Sequence, residues 1–391
     1  MNAQKSTAAG TVLTALKATT VLAVKDRELA TVAALAAMGR KAVSHLPEHL
    51  HGALDAGATQ QEIVEGLATI SQATGTPTAV NAIAIADQVF KERDANGMSS
   101  DAERIWDHGD APGGTVQERA ERSLSTIQQV YPAGPTDDTY TSVATRAPHF
   151  WRDAATVFYN DLFNHPGVDI KYRELFVMST YIALNSTALQ MKWHTNGALN
   201  TGWTRQEVLE IITQLTPVVG VPNALAAARL AQEVFSDRDA RGVTKSHETR
   251  TVAEVSGALD PSERSTLEDL HHDRVGSGES WETARTVAPR LFELSATLVF
   301  GVALDGPEID SATRHIALVS ALAAHGAEPD QLQLQIEAAL KAGVSRAVLL
   351  EAVRLSSAIG GYAVAQNAEA ITQAVLDRRD STSAAHSSRE V

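Results

Sequence analysis

The chain repeats itself. GALDAGATQQEIVEGL from Gly52, GALNTGWTRQEVLEII from Gly197 and AALKAGVSRAVLLEAV from Ala338 align without a gap. Copies one and two keep register at an offset of 145 residues, from His49–His194 through Gly75–Gly220 and Pro77–Pro222 to Phe90–Phe235 and Gly97–Gly242. Copies two and three keep register at 141, from Pro148–Pro289 through Arg173–Arg314 and Gly202–Gly343 to Gly220–Gly361. A unit recurring on that scale is a supersecondary module that buries its apolar stripe only against a neighbour.

Each module reads as helices. In copy two, Arg173 to Leu184 is an apolar run on a helical period. Ser186–Thr187 offers a cap for the next helix, which runs to about Asn200 and stops at Gly202. Thr204 with Glu207 and Thr59 with Glu62 predict capping boxes; copy three has Ser345 but Val348 and loses its box. Gly75 and Gly220 end these helices, and Pro77 and Pro222 fit the first turn of the next. Copy one has no visible counterpart of the helix that begins near Pro148 and Pro289.

Composition agrees. Hydrophobic residues make up 44% of the 391, but aromatics only 5%, and Ala and Leu dominate the apolar set. That favours closely packed helices over strands. The expected fold is all-α, three helical repeats packed together. The division is repeat one at 1–97, a linker at 98–120, repeat two at 121–242, a linker with short helices at 243–284, a degenerate repeat three at 285–380, and a disordered tail at 381–391.

The formal net charge of −14 argues against a nucleic-acid partner, whose phosphates need a basic face. No apolar run is long enough to span a membrane, and the stretch from Ser6 to Val24 lacks the apolar core of a signal peptide. The expectation is a cytoplasmic protein with no membrane partner. Cysteine is absent, so thiolate chemistry and disulfides are excluded.

Arg27-Glu28-Leu29 precedes His49, and Arg173-Glu174-Leu175 precedes His194, each about 20 residues upstream. H-x-x-G-A-L-x-x-G-x-T-x-x-E-[IV] and then G-x-P follow. This pattern resembles the carboxymuconolactone decarboxylase family, which shares its all-helical fold with the AhpD-like alkylhydroperoxidases, and the three copies cover most of the chain. The peroxidases carry C-x-x-C before the matching His. Here those positions hold Ala42 and His45, and Thr187 and Gln190, so the resemblance points to the non-redox decarboxylase branch. That branch often has an acidic residue four before the His, where this chain has His45 or Gln190.

The resemblance implies a lyase without a cofactor, moving a proton on a small unsaturated acid or lactone. An imidazole near neutral pKa beside a carboxylate suits that work. The candidate acid/base groups are His194 with Glu174 and His49 with Glu28. Gln190 and His45 stand one helical turn earlier, on the same face, and Gln190 could donate to an enolate oxygen. In copy three, Arg314 is followed by His315 and Gln335 replaces the His. That copy reads as a packing partner, or lends His315 to a composite site.

Other readings stay open: a cyclase or dehydratase recruited from the family, or a helical scaffold or ligand-binding protein. His45-Leu46-Pro47-Glu48-His49 also fits the zinc pattern H-x-x-E-H. Copy two cannot form that site with Gln190, Trp193 and His194, so no metal is expected. His271-His272 reads as solvated, Glu65, Glu210 and Glu351 as structural, and Arg93 and Arg238 as charges meeting helix dipoles. Single-repeat relatives form hexamers, so three fused copies suggest a dimer of chains, with a monomer as the alternative.

Overall fold

The computed structural model describes residues 21–106, 109, 113–131, 138–185, 187–252, 279–299, 309–326 and 329–387. Every regular element among them is helical. Two compact units form: Thr20–Gly220 with Leu230–Val255, and Met1–Thr19 and Val221–Arg229 with Ser256–Val391.

Copies one and two share the first unit. Copy one supplies α1 (Val24–Met38), α2 (Leu46–Asp55), α3 (Gln60–Thr69), the short α4 (Ser71–Thr74) and α5 (Thr76–Ala95). Next come α6 (Val116–Val130), α7 (Asp138–Arg146) and α8 (Pro148–Ala155), which widens into a π turn over Thr156–Leu162. Copy two follows with α9 (Ile170–Leu184), α10 (Ala188–Asn200), α11 (Arg205–Val219) and α12 (Val221–Ala240), of which Val221–Arg229 are grouped with the other unit.

Both capping boxes form, Thr59 with Glu62 and Thr204 with Glu207, and Ser345 caps the Val348 amide alone. Thr187 takes the cap position of α10, but its side chain makes no capping bond. Gly75 and Gly220 stop their helices at φ of 79° and 84°, a region that costs glycine little.

The two copies pack as a pseudo-symmetric pair. α1 lies against α9, α3 of copy one packs on α9, and α11 of copy two packs on α1. Gly66 on α3 leaves room for the Phe176 ring on α9. The equivalent positions of the other half hold Ile211 and Ala30, both fully buried, so the large and small partners are exchanged. Arg173 crosses the pair: fully buried on α9, it bonds Glu65 Oε2 (3.2 Å) and Thr69 Oγ1 (3.3 Å) of copy one and the His165 carbonyl (2.9 Å). Glu65 thus has the structural role expected of it, bridging two copies.

Arg93 and Arg238 differ from their expected dipole role. Both are buried. Arg93 pairs with Glu103 and Asp55, and Arg238 with Glu248, Asn196 and Asn200. The partner glutamates keep the 145-residue offset, and so do the bonds from Gln60 N to Glu103 O and from Arg205 N to Glu248 O. The stretch expected as a linker therefore folds back onto α5 and the start of α3, and its counterpart onto α12, the start of α11 and the end of α10. α6 likewise begins inside that expected linker.

Copy three lies in the other unit, as α13 (Glu279–Val287), α14 (Pro289–Ala296), α15 (Ser311–His325), α16 (Pro329–Lys341), α17 (Arg346–Leu355), α18 (Ser357–Gly360) and α19 (Tyr362–Ser387). Its core gathers Val319, Ala323, Leu332, Ile336, Leu349 and Val353. The last helix runs past Ser381, where a disordered tail was expected; Ala384 and Ala385 are strong helix formers. His271–His272, and the place where copy one would hold a counterpart of α8, lie outside the described residues.

Candidate active site

α9 and α10 are neighbours, and each brings one half of a buried pair. Glu174, in the first turns of α9, is fully buried, and His194, in the middle of α10, is 3% exposed. His194 Nδ1 lies 3.0 Å from Glu174 Oε2. The predicted contact is thus present, in a setting where water does not compete for it.

Tyr131 completes the group. It follows the last turn of α6 and is buried. Its hydroxyl donates to Glu174 Oε1 at 2.6 Å and lies 3.0 Å from His194 Nδ1. Burial and the Glu174 carboxylate push the Tyr131 phenol well above its usual range, so it stays a donor. With the Tyr131 hydroxyl donating to Glu174 Oε1, the carboxylate accepts His194 Nδ1–H through Oε2. This fixes the tautomer and leaves Nε2 as the nitrogen that can exchange a proton.

Aromatic rings hold the imidazole in place. Tyr181 stacks on His194, centroids 5.2 Å apart and planes 15° apart, and Tyr131 meets it edge-on at 5.9 Å. Trp193 packs on Tyr131 at 4.7 Å, within an apolar cluster of Ile127, Val130, Tyr159, Phe163 and Val177. Trp193 is a wall of this cluster. A side chain at Gly197 would put its Cβ 2.6 Å from the Glu174 carboxyl carbon and 2.7 Å from Tyr131 Cε1.

Copy one repeats the pair but not its surroundings. His49 Nδ1 lies 2.7 Å from Glu28 Oε2, with the side chains 31% and 25% exposed. Gly52 faces Glu28 as Gly197 faces Glu174, with a built Cβ 2.9 Å from Oε2. Leu35 stands where Tyr181 does and Glu48 where Trp193 does. Copy three holds the aligned positions with other groups: His315 Nδ1 lies 3.1 Å from Gln335 Oε1, both buried, with Ala338 in place of the glycine.

The remaining predicted residues stand apart. His45 ends a single 3₁₀ turn before α2 and is exposed, as is Glu48. Gln190 is half-buried in the first turn of α10. Among the described residues, no three His, Cys, Asp or Glu side chains gather as a metal site, the H-x-x-E-H stretch included.

Sequence reasoning missed Tyr131 and Tyr181. Tyr131 lies 63 residues before its histidine, on an element with no visible counterpart in copy one. Tyr181 is replaced by leucine in both other copies, so the repeat gave it no prominence. Gly52 and Gly197 were in the motif, and their spacing three after the histidine was the usable signal.

Known proteins resemble parts of this chain. The 4-carboxymuconolactone decarboxylase of Acinetobacter baylyi is 28% identical over 79 residues, which are 20% of this chain and 58% of that protein. The nitrosuccinic acid decarboxylase of Metarhizium robertsii is 28% identical over 87 residues, 22% of this chain and 60% of that one. An uncharacterized 15.0 kDa protein of Paracoccus denitrificans is 37% identical over 88 residues, 22% and 66%. The chain thus spans about three fifths of the length of the first of these relatives. The model of the carboxymuconolactone decarboxylase family matches three times, at residues 7–88, 151–233 and 289–374. With three matched repeats, an all-helical fold and a Glu–His pair in two of them, the chain belongs to the carboxymuconolactone decarboxylase family.

Proposed function

We propose that the chain is a lyase that needs no cofactor, decarboxylating or isomerising a small unsaturated acid or lactone by proton transfer through His194. The observation behind this reading is the buried Tyr131–Glu174–His194 group, which orients one imidazole nitrogen and stabilises the ring when it is charged. In decarboxylation the bond to the carboxylate breaks, CO2 leaves, and the electron pair passes into the conjugated carbonyl. The imidazolium Nε2–H then protonates the carbon end of that dienolate. Glu174 offsets the charge gained at each reprotonation.

His49 and Glu28 are the equivalent pair of copy one, open to water. Gln190, one helical turn before His194, would donate to an enolate oxygen, and His45 stands at the matching position of copy one. The names of two relatives, both decarboxylases, support the reaction class. The direct test is CO2 release and product analysis on a panel of small unsaturated acids and lactones. Turnover of a panel member supports the reading. No turnover of any member, at high protein concentration, contradicts it.

A further inference from the structure

The Tyr131 hydroxyl has one proton and two neighbours that can take it. Glu174 Oε1 lies 2.6 Å away and His194 Nδ1 3.0 Å away. With the proton given to Glu174, the carboxylate takes Nδ1–H from the imidazole, and Nε2 is the nitrogen that exchanges. Given to Nδ1, the same proton calls for the opposite tautomer, with the ring hydrogen on Nε2. The direction of one hydroxyl therefore decides which form of His194 is present.

Tyr159 is the group in place to set that direction. Its ring meets the Tyr131 ring edge-on, centroids 6.1 Å apart and planes at 82°, and the two hydroxyls are hydrogen-bonded. Tyr131 gives its proton to Glu174, so Tyr159 is the donor between them. Both tyrosines are buried.

The π turn over Thr156–Leu162 carries Tyr159, and it is fastened to α6, whose end carries Tyr131. Asn160 Oδ1 accepts from Arg122 Nε at 2.9 Å, Asp161 pairs with Arg119, and Asn164 Nδ2 donates to Thr126 Oγ1 at 2.7 Å. Wide turns of this kind recur at functional sites. Copy three opens the same turn at Thr297, but Phe300 stands at the place of Tyr159. The copy that lacks the Glu–His pair thus also lacks the hydroxyl.

We propose that Tyr159 is a positioning residue for His194: by donating to the Tyr131 oxygen it turns the Tyr131 proton to Glu174 and so holds His194 as the Nδ1–H tautomer. This rests on His194 as the group that moves the proton. A hydroxyl that accepts a hydrogen bond is also a stronger donor, so the Tyr131–Glu174 bond gains from the same contact. Tyr159 acts through Tyr131 and Glu174, at a remove from the reacting nitrogen.

The test is Tyr159→Phe, which keeps the ring in its apolar cluster and removes only the hydroxyl. Nitrogen NMR of histidine-labelled protein, assigned with His194→Gln and recorded where the ring is neutral, reads the tautomer and needs no substrate. Wild type should show His194 as Nδ1–H. The variant should show a share of the Nε2–H form, and on a panel substrate its kcat should fall about 10-fold or more at near-constant KM. A role confined to packing predicts the wild-type spectrum in Tyr159→Phe, and that result overturns the proposal. So does a wild-type His194 already in the Nε2–H form, or an unchanged kcat. A wild type that turns over no panel member contradicts the proposed reaction and leaves the tautomer to decide the role of Tyr159 by itself.

Discussion

The Glu174 carboxyl group occupies the space that a side chain at position 197 would need, with a built Cβ at Gly197 falling 2.6 Å from it. A helix can carry any residue there, so the glycine serves the close approach of α9 and α10. Because Glu174 is fully buried and Tyr131 backs it, neither can yield. Gly197→Ala should destabilise by about 1–3 kcal/mol, the usual cost of overpacking, and displace the pair. Gly52→Ala should cost less, because the part-exposed Glu28 can swing away. Denaturant melts of the two variants check the order.

Tyr131→Phe removes the donor to Glu174 Oε1 while keeping the ring. Turnover should fall about 10- to 100-fold in a variant that stays folded, as for supporting residues elsewhere. Unchanged turnover would count against Tyr131 as a positioning residue.

His49 and His194 should react differently with a histidine-modifying reagent. The His49 side chain is 31% exposed and that of His194 is 4% exposed. Mass spectrometry over time should show His49 modified well before His194. Equal rates would mean that the Tyr131 and Tyr181 enclosure opens readily.

Glu65→Ala leaves the Arg173 guanidinium buried without its carboxylate. Breaking one side of a buried ion pair typically costs about 3–5 kcal/mol. Glu351→Ala, at the exposed position of copy three, should cost the isolated chain well under that. Thermal melts of the two variants separate them.

Tyr172 gives a signal in alkali. Burial, with the Asp26 and Glu62 carboxylates nearby, pushes its phenol up to about 12. The unfolded chain releases that proton near ~10. The folded chain holds it longer, so this contribution to stability is complete below about 10 and is lost as pH rises through 12. Tyr172→Phe should flatten that part of the alkaline stability curve, read by denaturant melts across the interval.

Much of this was legible in the sequence. The repeat gave the helices, their capping boxes and glycine stops, because those signals are local. It also gave both Glu–His pairs, since the Arg-Glu-Leu run recurs at a near-constant distance before each histidine. What it hid was non-local. Arg93 and Arg238 read as dipole charges because their partners Glu103 and Glu248 lie in what looked like linker. Tyr131 comes from outside the repeat, and only packing brings it to His194. The exposure that separates the His49 pair from the His194 pair depends on Tyr181 and Trp193, whose neighbours a sequence does not list.

The central claim is that the His194 imidazole moves the proton. Once a panel substrate is found, turnover of His194→Gln and His49→Gln should be compared with wild type, after each variant is shown to be folded. Loss of a positioned acid–base group costs about 10²- to 10⁴-fold, and His194→Gln is predicted to fall in that range. Wild-type turnover in folded His194→Gln would contradict the account.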